Sequence, residues 1–294
     1  MTSDKLTREV KIESTGDRKE RGMPRISISS WSLHRLLGKA WHVPDGNGGF
    51  VNRSDQTPEI GLLDVPGQAA GHGIGTIELC HFHFPSVDSS YLDELVDAIS
   101  RANVELFSIL IDTGDITHHD PESREIDLAT IRYWIDIAAE VGAEHVRIIA
   151  GEAEADEETI ELAVSGLKEL AVYADRQGVK TLTENFKQLA RRPETVLDIV
   201  ERCDGQVGLC ADFGNFPEES RTEDLAAVLP KANSIHAKAD YVDGEMNREA
   251  YTRNVMLALD AGFDGPMSLI YQDAGGVWDR LDEMRDVTLD VLNR

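Results

Sequence analysis

Runs rich in apolar and β-branched residues return eight times along the chain, separated by segments with a helical period. The runs are RISIS (25–29), GTIEL (75–79), VELFSILI (104–111), EHVRIIA (144–150), VKTLTE (179–184), QVGLCAD (206–212), ANSIHAK (232–238) and PMSLIY (266–271). Their length and composition predict strands. Residues 157–177 place Ile160, Val164, Leu167, Leu170 and Ala174 on one helical stripe that stops at Gly178. Residues 126–141 do the same with Ile131, Trp134, Ile135 and Ala138, ending at Gly142. Residues 193–203 open with Pro193 in the first turn and carry Val196, Ile199 and Val200. Two further helices are predicted over 247–261 and 277–292. Strands alternating with helices of this length imply parallel βαβ units, and eight of them predict an α/β fold, a single (β/α)8 TIM barrel. An open doubly wound sheet is the alternative; the absence of GxGxxG after the first strand weakens it.

The stretch 34–66, rich in Gly, Asn, Asp and Pro, fits the alternation least and is read as a long first βα loop, with the first helix starting near Pro58. Residues 1–22 lack periodicity and predict a flexible N-terminal arm ahead of a barrel domain over 23–294. No apolar run follows the N-terminal charges, so no secretory signal is expected, and no run of about 18 apolar residues predicts a membrane span. Three cysteines (Cys80, Cys203 and Cys210) make no disulfide framework and fit a reducing cytoplasm.

Charge adds a second theme. Fifty-four acidic residues face 29 basic ones, for a net charge of −25, and only 9 of the basic residues are Lys. The carboxylates are spread along the chain, as on the acidic surface of a halophilic-type protein, the alternative being an ordinary acidic protein. The halophilic reading predicts a melting temperature that climbs steeply from low to molar KCl, because screening relieves self-repulsion. A flat response in a thermal melt would remove it. Such a surface also repels phosphate backbones, which argues against nucleic acid as a partner.

Barrel chemistry is built where strands end. The fifth, sixth and seventh predicted strands end at or near Glu184, Asp212 and His236. Two carboxylates and an imidazole, each one βα unit apart, suit a single divalent ion: Mn²⁺, Mg²⁺, Co²⁺ or Zn²⁺. Three isolated polar caps are the other reading.

The segments LTENF, GLCADFGN and IHAKA resemble the sugar-phosphate isomerase/epimerase superfamily with the xylose-isomerase-like TIM barrel. AEHVRIIAGE and DGPMSLIY are similar to its fourth and eighth strand segments, and the resemblance runs over about residues 25–290. It implies one divalent metal held by Glu184, Asp212, His236 and a strand-8 glutamate. The fourth ligand does not carry over: where relatives read S-I-E-Y, this chain reads Ser268-Leu269-Ile270-Tyr271. In epimerases of the superfamily that glutamate pairs with the strand-5 glutamate as acid and base, so Ile270 departs from the two-carboxylate mechanism. Gln272, Asp273, Asp240 or water are candidates for the gap. Phe186 replaces the histidine of a common E-N-H, and Asn215 stands where some relatives carry a substrate-binding histidine.

Further candidates come from the strand ends. Glu78, His81 and His83 end the second strand; alternation points the two histidines to one side, either as site groups or as a hydrogen-bonded buried pair. Arg147 is read as a substrate clamp or a structural ion pair. Lys238, two residues past His236, faces the same way and either polarises a substrate oxygen or balances Glu184 and Asp212. Trp31 and His34 are candidate walls of the pocket, and core packing is the other reading of Trp31. Asp112, His118 and His119 are loop candidates. Cys80 and Cys210 are read as core.

These residues point to an isomerase or epimerase of a small keto-sugar, polyol or related hydroxy-carbonyl compound. The metal is expected to chelate adjacent carbonyl and hydroxyl oxygens and stabilise an enediolate, with Glu184 as base and Lys238 and His83 as further catalytic groups. Glu78, His81, Arg147, Asn215, Gln272 and Trp31 are the expected substrate contacts. The alternatives are a dehydratase of a keto-inositol, using His81, His83 or His119 as acid, and a non-catalytic sugar-binding barrel. An endonuclease-IV-like reading is disfavoured by the charge and by the few candidate ligands. A homo-oligomer is left open.

Overall fold

A computed structural model describes residues 22–38, 56–273 and 275–294, together with the backbone of 40–44 and 50–54. Apart from Gly22, the expected N-terminal arm lies outside the described residues. Eight parallel strands close into one barrel: β1 (Arg25–Ser29), β4 (Thr76–Cys80), β5 (Glu105–Ile111), β6 (His145–Ile148), β7 (Lys180–Glu184), β8 (Val207–Asp212), β9 (Ala232–Lys238) and β12 (Pro266–Ile270). The ring runs β1-β12-β9-β8-β7-β6-β5-β4. Each predicted strand is present within a residue or two, because β-branched runs suit a pleat packed on both faces.

Alternation along each strand separates two environments. Ile28, Ile77, Val146, Leu209, Ile235 and Leu269 belong to one large apolar cluster shared with the helices. Residues next to them in sequence, such as Ser29, Arg147, Cys210 and Ile270, occupy the barrel interior. The helices of the outer layer are α1 (Val65–Gly71), α2 (Ser89–Ala102), α3 (Pro121–Glu140), α4 (Glu157–Arg176), α5 (Pro193–Arg202), α6 (Arg221–Val228), α7 (Arg248–Asp260) and α8 (Val277–Leu292).

Local chemistry sets their ends. The Asp156 side chain accepts from the Thr159 N–H at 2.8 Å while the Asp156 N–H donates to Thr159 Oγ1 at 3.0 Å, a capping box that starts α4. Gly178 follows α4 with φ of 78°, where a side chain would be strained. α3 starts five residues before the expected 126. Asp120 caps the Ser123 N–H at 2.9 Å and Pro121 occupies the first turn, but that turn is largely solvent-facing and carries no apolar stripe to betray it.

The described part of the first βα connection contains two strands that the sequence reading did not expect. β2 (Ala40–Pro44) and β3 (Phe50–Ser54) form an antiparallel hairpin with Ala40 opposite Ser54 and Pro44 opposite Phe50. No helix starts near Pro58. A short 3-10 turn over Leu62–Asp64 leads into α1, held where the Gly61 N–H donates to Asp64 Oδ2 at 2.8 Å. A second small hairpin, β10 (Tyr241–Val242) with β11 (Glu245–Met246), follows β9.

Candidate functional site

Glu184 and Asp212 are the last residues of β7 and β8, and His236 lies two residues before the end of β9. Asp212 is in register with His236, and Glu184 with Cys210. Neighbouring strands therefore deliver two carboxylates and an imidazole to one point at the C-terminal mouth. His236 Nδ1 lies 3.4 Å from Glu184 Oε1 and 3.7 Å from Asp212 Oδ2. All three side chains are buried. Donors bound to one ion at about 2.0–2.3 Å and set at right angles stand about 3 Å apart, close to each of these two approaches, although Asp212 is not in the group of donors that all lie within 4.8 Å of one another.

The surroundings hold each donor in place. His236 Nε2 is 3.1 Å from Glu78 Oε2, so the carboxylate takes the outer N–H and presents Nδ1 to the cluster. The Asp212 N–H donates to Asn185 Oδ1 at 2.7 Å, and Asn185 Nδ2 donates to the Asp212 carbonyl at 3.1 Å. The Gly214 N–H donates to Asp212 Oδ1 at 2.6 Å, which leaves Oδ2 facing His236. Asn215 Nδ2 donates to Glu184 Oε1 at 3.0 Å, and Arg147 Nε lies 2.9 Å from Glu184 Oε2. Arg147 also pairs with Asp112. Glu184 Oε2 is buried and accepts no hydrogen bond of good geometry, an acceptor still to be satisfied.

Charge states follow. Burial alone would raise the Glu184 carboxyl, but Arg147 and His236 outweigh it and hold the group below its usual range. Burial and the nearby Glu184 push Asp212 up. Burial would depress the His236 imidazole, yet the carboxylates of Glu184 and Glu78 hold it well above its ordinary value. Without an ion the cluster thus retains protons that an ion would displace.

The cluster forms one wall of a cavity of about 160 Å³. Asp112, Arg147 and Asn215 stand on the polar side; Trp31, Phe186 and Ile270 supply apolar walls, with Lys238 and Gln272 beside them. Trp31 stacks on His34 at 4.5 Å and also meets the Phe82 edge, so it combines packing with the wall role. Ile270 ends β12 in register with Lys238.

Several expected site residues stand elsewhere. Glu78 lies behind His236 rather than on the cavity wall, spent on the imidazole. His81 and His83 form a 3-10 turn, not a strand continuation, and neither lines the cavity. Side chains do not alternate there because the chain has left the pleat. His83 Nδ1 is 2.8 Å from Ser30 Oγ, and burial, then His34 and His81, push its imidazole down to about 3. A group neutral at pH 7 and off the wall is no acid for this cavity. His118 and His119 also stand off the wall, with His119 exposed. Of the candidates for the strand-8 gap, Gln272 lines the cavity, whereas Asp240 pairs with Arg221 at 2.6 Å and Asp273 lies outside. Arg147 and Asn215 line the cavity but are already engaged with Glu184.

Two residues were missed in the sequence. Asn185 follows Glu184 directly and ties the ends of β7 and β8 together. Cys210, assigned to the core, shares the inward face of β8 with Asp212. Its Sγ and the donors of Glu184 and His236 all lie within 4.8 Å of one another. Burial above all keeps its thiol protonated, while ligation needs a thiolate. Asp212 is therefore the better third donor for a hard ion.

The sequence family described as "Xylose isomerase-like TIM barrel" matches residues 66–286. A comparison with curated protein sequences finds no match. Among solved structures, a xylose isomerase-like TIM barrel protein from Mycobacterium smegmatis, in complex with magnesium, is 22% identical with a TM-score of 0.66, covering 92% of this chain and 96% of its own. D-psicose 3-epimerase from Clostridium cellulolyticum H10, solved with D-tagatose, is 14% identical with a TM-score of 0.66, covering 92% and 98%. An L-ribulose 3-epimerase is 15% identical with a TM-score of 0.67, covering 92% and 95%.

Proposed function

The chain belongs to the xylose isomerase-like TIM barrel family, and on that premise we propose that it is a divalent-metal-dependent isomerase or epimerase of a small keto-sugar or related hydroxy-carbonyl compound. The observation that carries the proposal is the approach of His236 Nδ1 to Glu184 Oε1 and Asp212 Oδ2, at 3.4 and 3.7 Å, on the wall of a small cavity at the strand ends. The sugar epimerases and the magnesium complex among the similar structures support it. Glu184, Asp212 and His236 would hold the ion. A bound Mn²⁺, Mg²⁺, Co²⁺ or Zn²⁺ would supply Lewis acidity to the substrate carbonyl, which acidifies the C–H beside it.

Glu184 is the base. Arg147 and His236 keep it ionised at neutral pH, and Asn215 and Arg147 fix the direction of its two oxygens. Asp112 holds Arg147 in turn. Lys238 and Gln272 face the substrate as hydrogen-bond donors, and the Trp31 and Phe186 rings give faces for sugar C–H surfaces. Ile270 supplies no second carboxylate, so the returning proton comes from Glu184 itself or from water. The dehydratase alternative loses ground here, since His81, His83 and His119 all stand off the wall.

The test is a panel of keto-sugars and inososes incubated with Mn²⁺ in D₂O and followed by NMR. Deuterium uptake at carbon beside the carbonyl, without loss of water, is the expected result. Elimination of water would make the enzyme a dehydratase, and inertness across the panel would favour a non-catalytic barrel.

A further inference from the structure

Nearly every charged group on the cavity wall is committed. Arg147 is held between Asp112 and Glu184, and His236 touches Glu78, Glu184 and Asp212. Lys238 is the exception. Its ammonium has no ion-pair partner within 4.0 Å among the described residues, although it is half-buried and lines the cavity. Its neighbour in register on β12 is Ile270, which offers it nothing polar.

The lysine is also placed by its backbone surroundings. Gly214 lies against its stem: a Cβ there would come 2.5 Å from Lys238 Cδ. The glycine keeps open the space through which the stem passes. Gln272, which carries an amide donor, also lines the cavity.

Asp112 and Glu184 contact Arg147, Asp212 faces His236, and Glu78 stands behind the imidazole, so none of these carboxylates pairs directly with Lys238. Lys238 then remains on the wall with no carboxylate in contact among the described residues, its charge reaching Asp212 only from beyond ion-pair distance. A half-buried ammonium is best satisfied there by an ionised acceptor brought in by the ligand. We infer that the substrate is a ketose bearing a carboxylate, with that carboxylate held by Lys238. This rests on the sugar reading above and narrows its substrate class.

The test is calorimetric titration of the Mn²⁺-loaded full chain with two probes that differ only at C6, D-tagatose and D-tagaturonate. The wild type is expected to bind the acid about tenfold or more tightly than the neutral sugar, the scale of a hydrogen bond to a charged group. Lys238→Met should collapse that preference to less than about threefold, while manganese content stays at the wild-type level. Gly214→Ala, which crowds the lysine stem without removing its charge, should shrink the preference as well. Equal binding of both probes by the wild type, or a preference that survives in Lys238→Met, overturns the inference and leaves the isomerase reading standing. Binding of neither probe overturns both.

Discussion

Asp212→Ala is expected to bind manganese more than about 100-fold more weakly than the wild type and to lose turnover with it, because changes merely outside a metal's ligand shell already cost about 10–100-fold in affinity. Gly214 holds one oxygen of Asp212 and Asn185 clamps its backbone, so the other oxygen is committed to the His236 side of the cluster. Alanine leaves Glu184 and His236 with only the protonated Cys210 thiol nearby. Wild-type affinity should rise with pH, since the raised Asp212 and His236 groups release protons as an ion enters. Ile270→Glu, which places a carboxylate on the same wall, should instead tighten binding. Metal content measured by elemental analysis after dialysis reads both changes. An Asp212→Ala protein that keeps its metal would remove Asp212 from the site.

Arg147→Met is expected to destabilise the metal-free protein by about 3–5 kcal/mol at pH 7, the usual cost of stranding the partner of a buried ion pair. The guanidinium is buried between Asp112 and Glu184, and the Asp112 side chain is only 24% exposed. The pH dependence has a definite sign. Burial would raise the Asp112 carboxyl, but Arg147 holds it below its usual value, so the pair stabilises the wild type above the unfolded value of about 3.9. That contribution fades as pH falls through the folded value. Without Arg147, burial acts unopposed and Asp112 rises. The deficit of the variant should therefore be largest at neutral pH and shrink toward pH 4. Asp112→Leu in the same chain should restore part of the loss, because only Glu184 is then left without its arginine and it keeps His236 beside it. Urea denaturation at pH 7 and pH 4.5 checks both statements; a deficit that does not change with pH would mean that packing, not charge, holds Arg147 in place.

The sequence is most legible where a residue's environment follows from its neighbours. The eight strands show because β-branched runs have few other uses. The spacing of Glu184, Asp212 and His236 carries their convergence because one βα unit advances one strand round the barrel. What alternation cannot report is depth. Glu78 and Cys210 face inward as their strands require, yet Glu78 ends behind the imidazole and Cys210 beside the donors. Nor does alternation survive the end of a strand, and His81 and His83 were misplaced for that reason. The pairing of Ala40–Pro44 with Phe50–Ser54 has only the short apolar runs WHV and FVN behind it in the sequence, and the Gly, Asn and Asp around them read equally well as open loop.

The claim at the centre of this account is that Glu184, Asp212 and His236 hold one divalent ion. A crystal structure of the full chain grown with Mn²⁺, with anomalous diffraction at the manganese edge, tests it most directly. The account predicts one strong peak at about 2.0–2.3 Å from a Glu184 oxygen, an Asp212 oxygen and His236 Nδ1, with Glu78 still on Nε2. No peak at millimolar Mn²⁺, or a peak that leaves out Asp212 or His236, would contradict it.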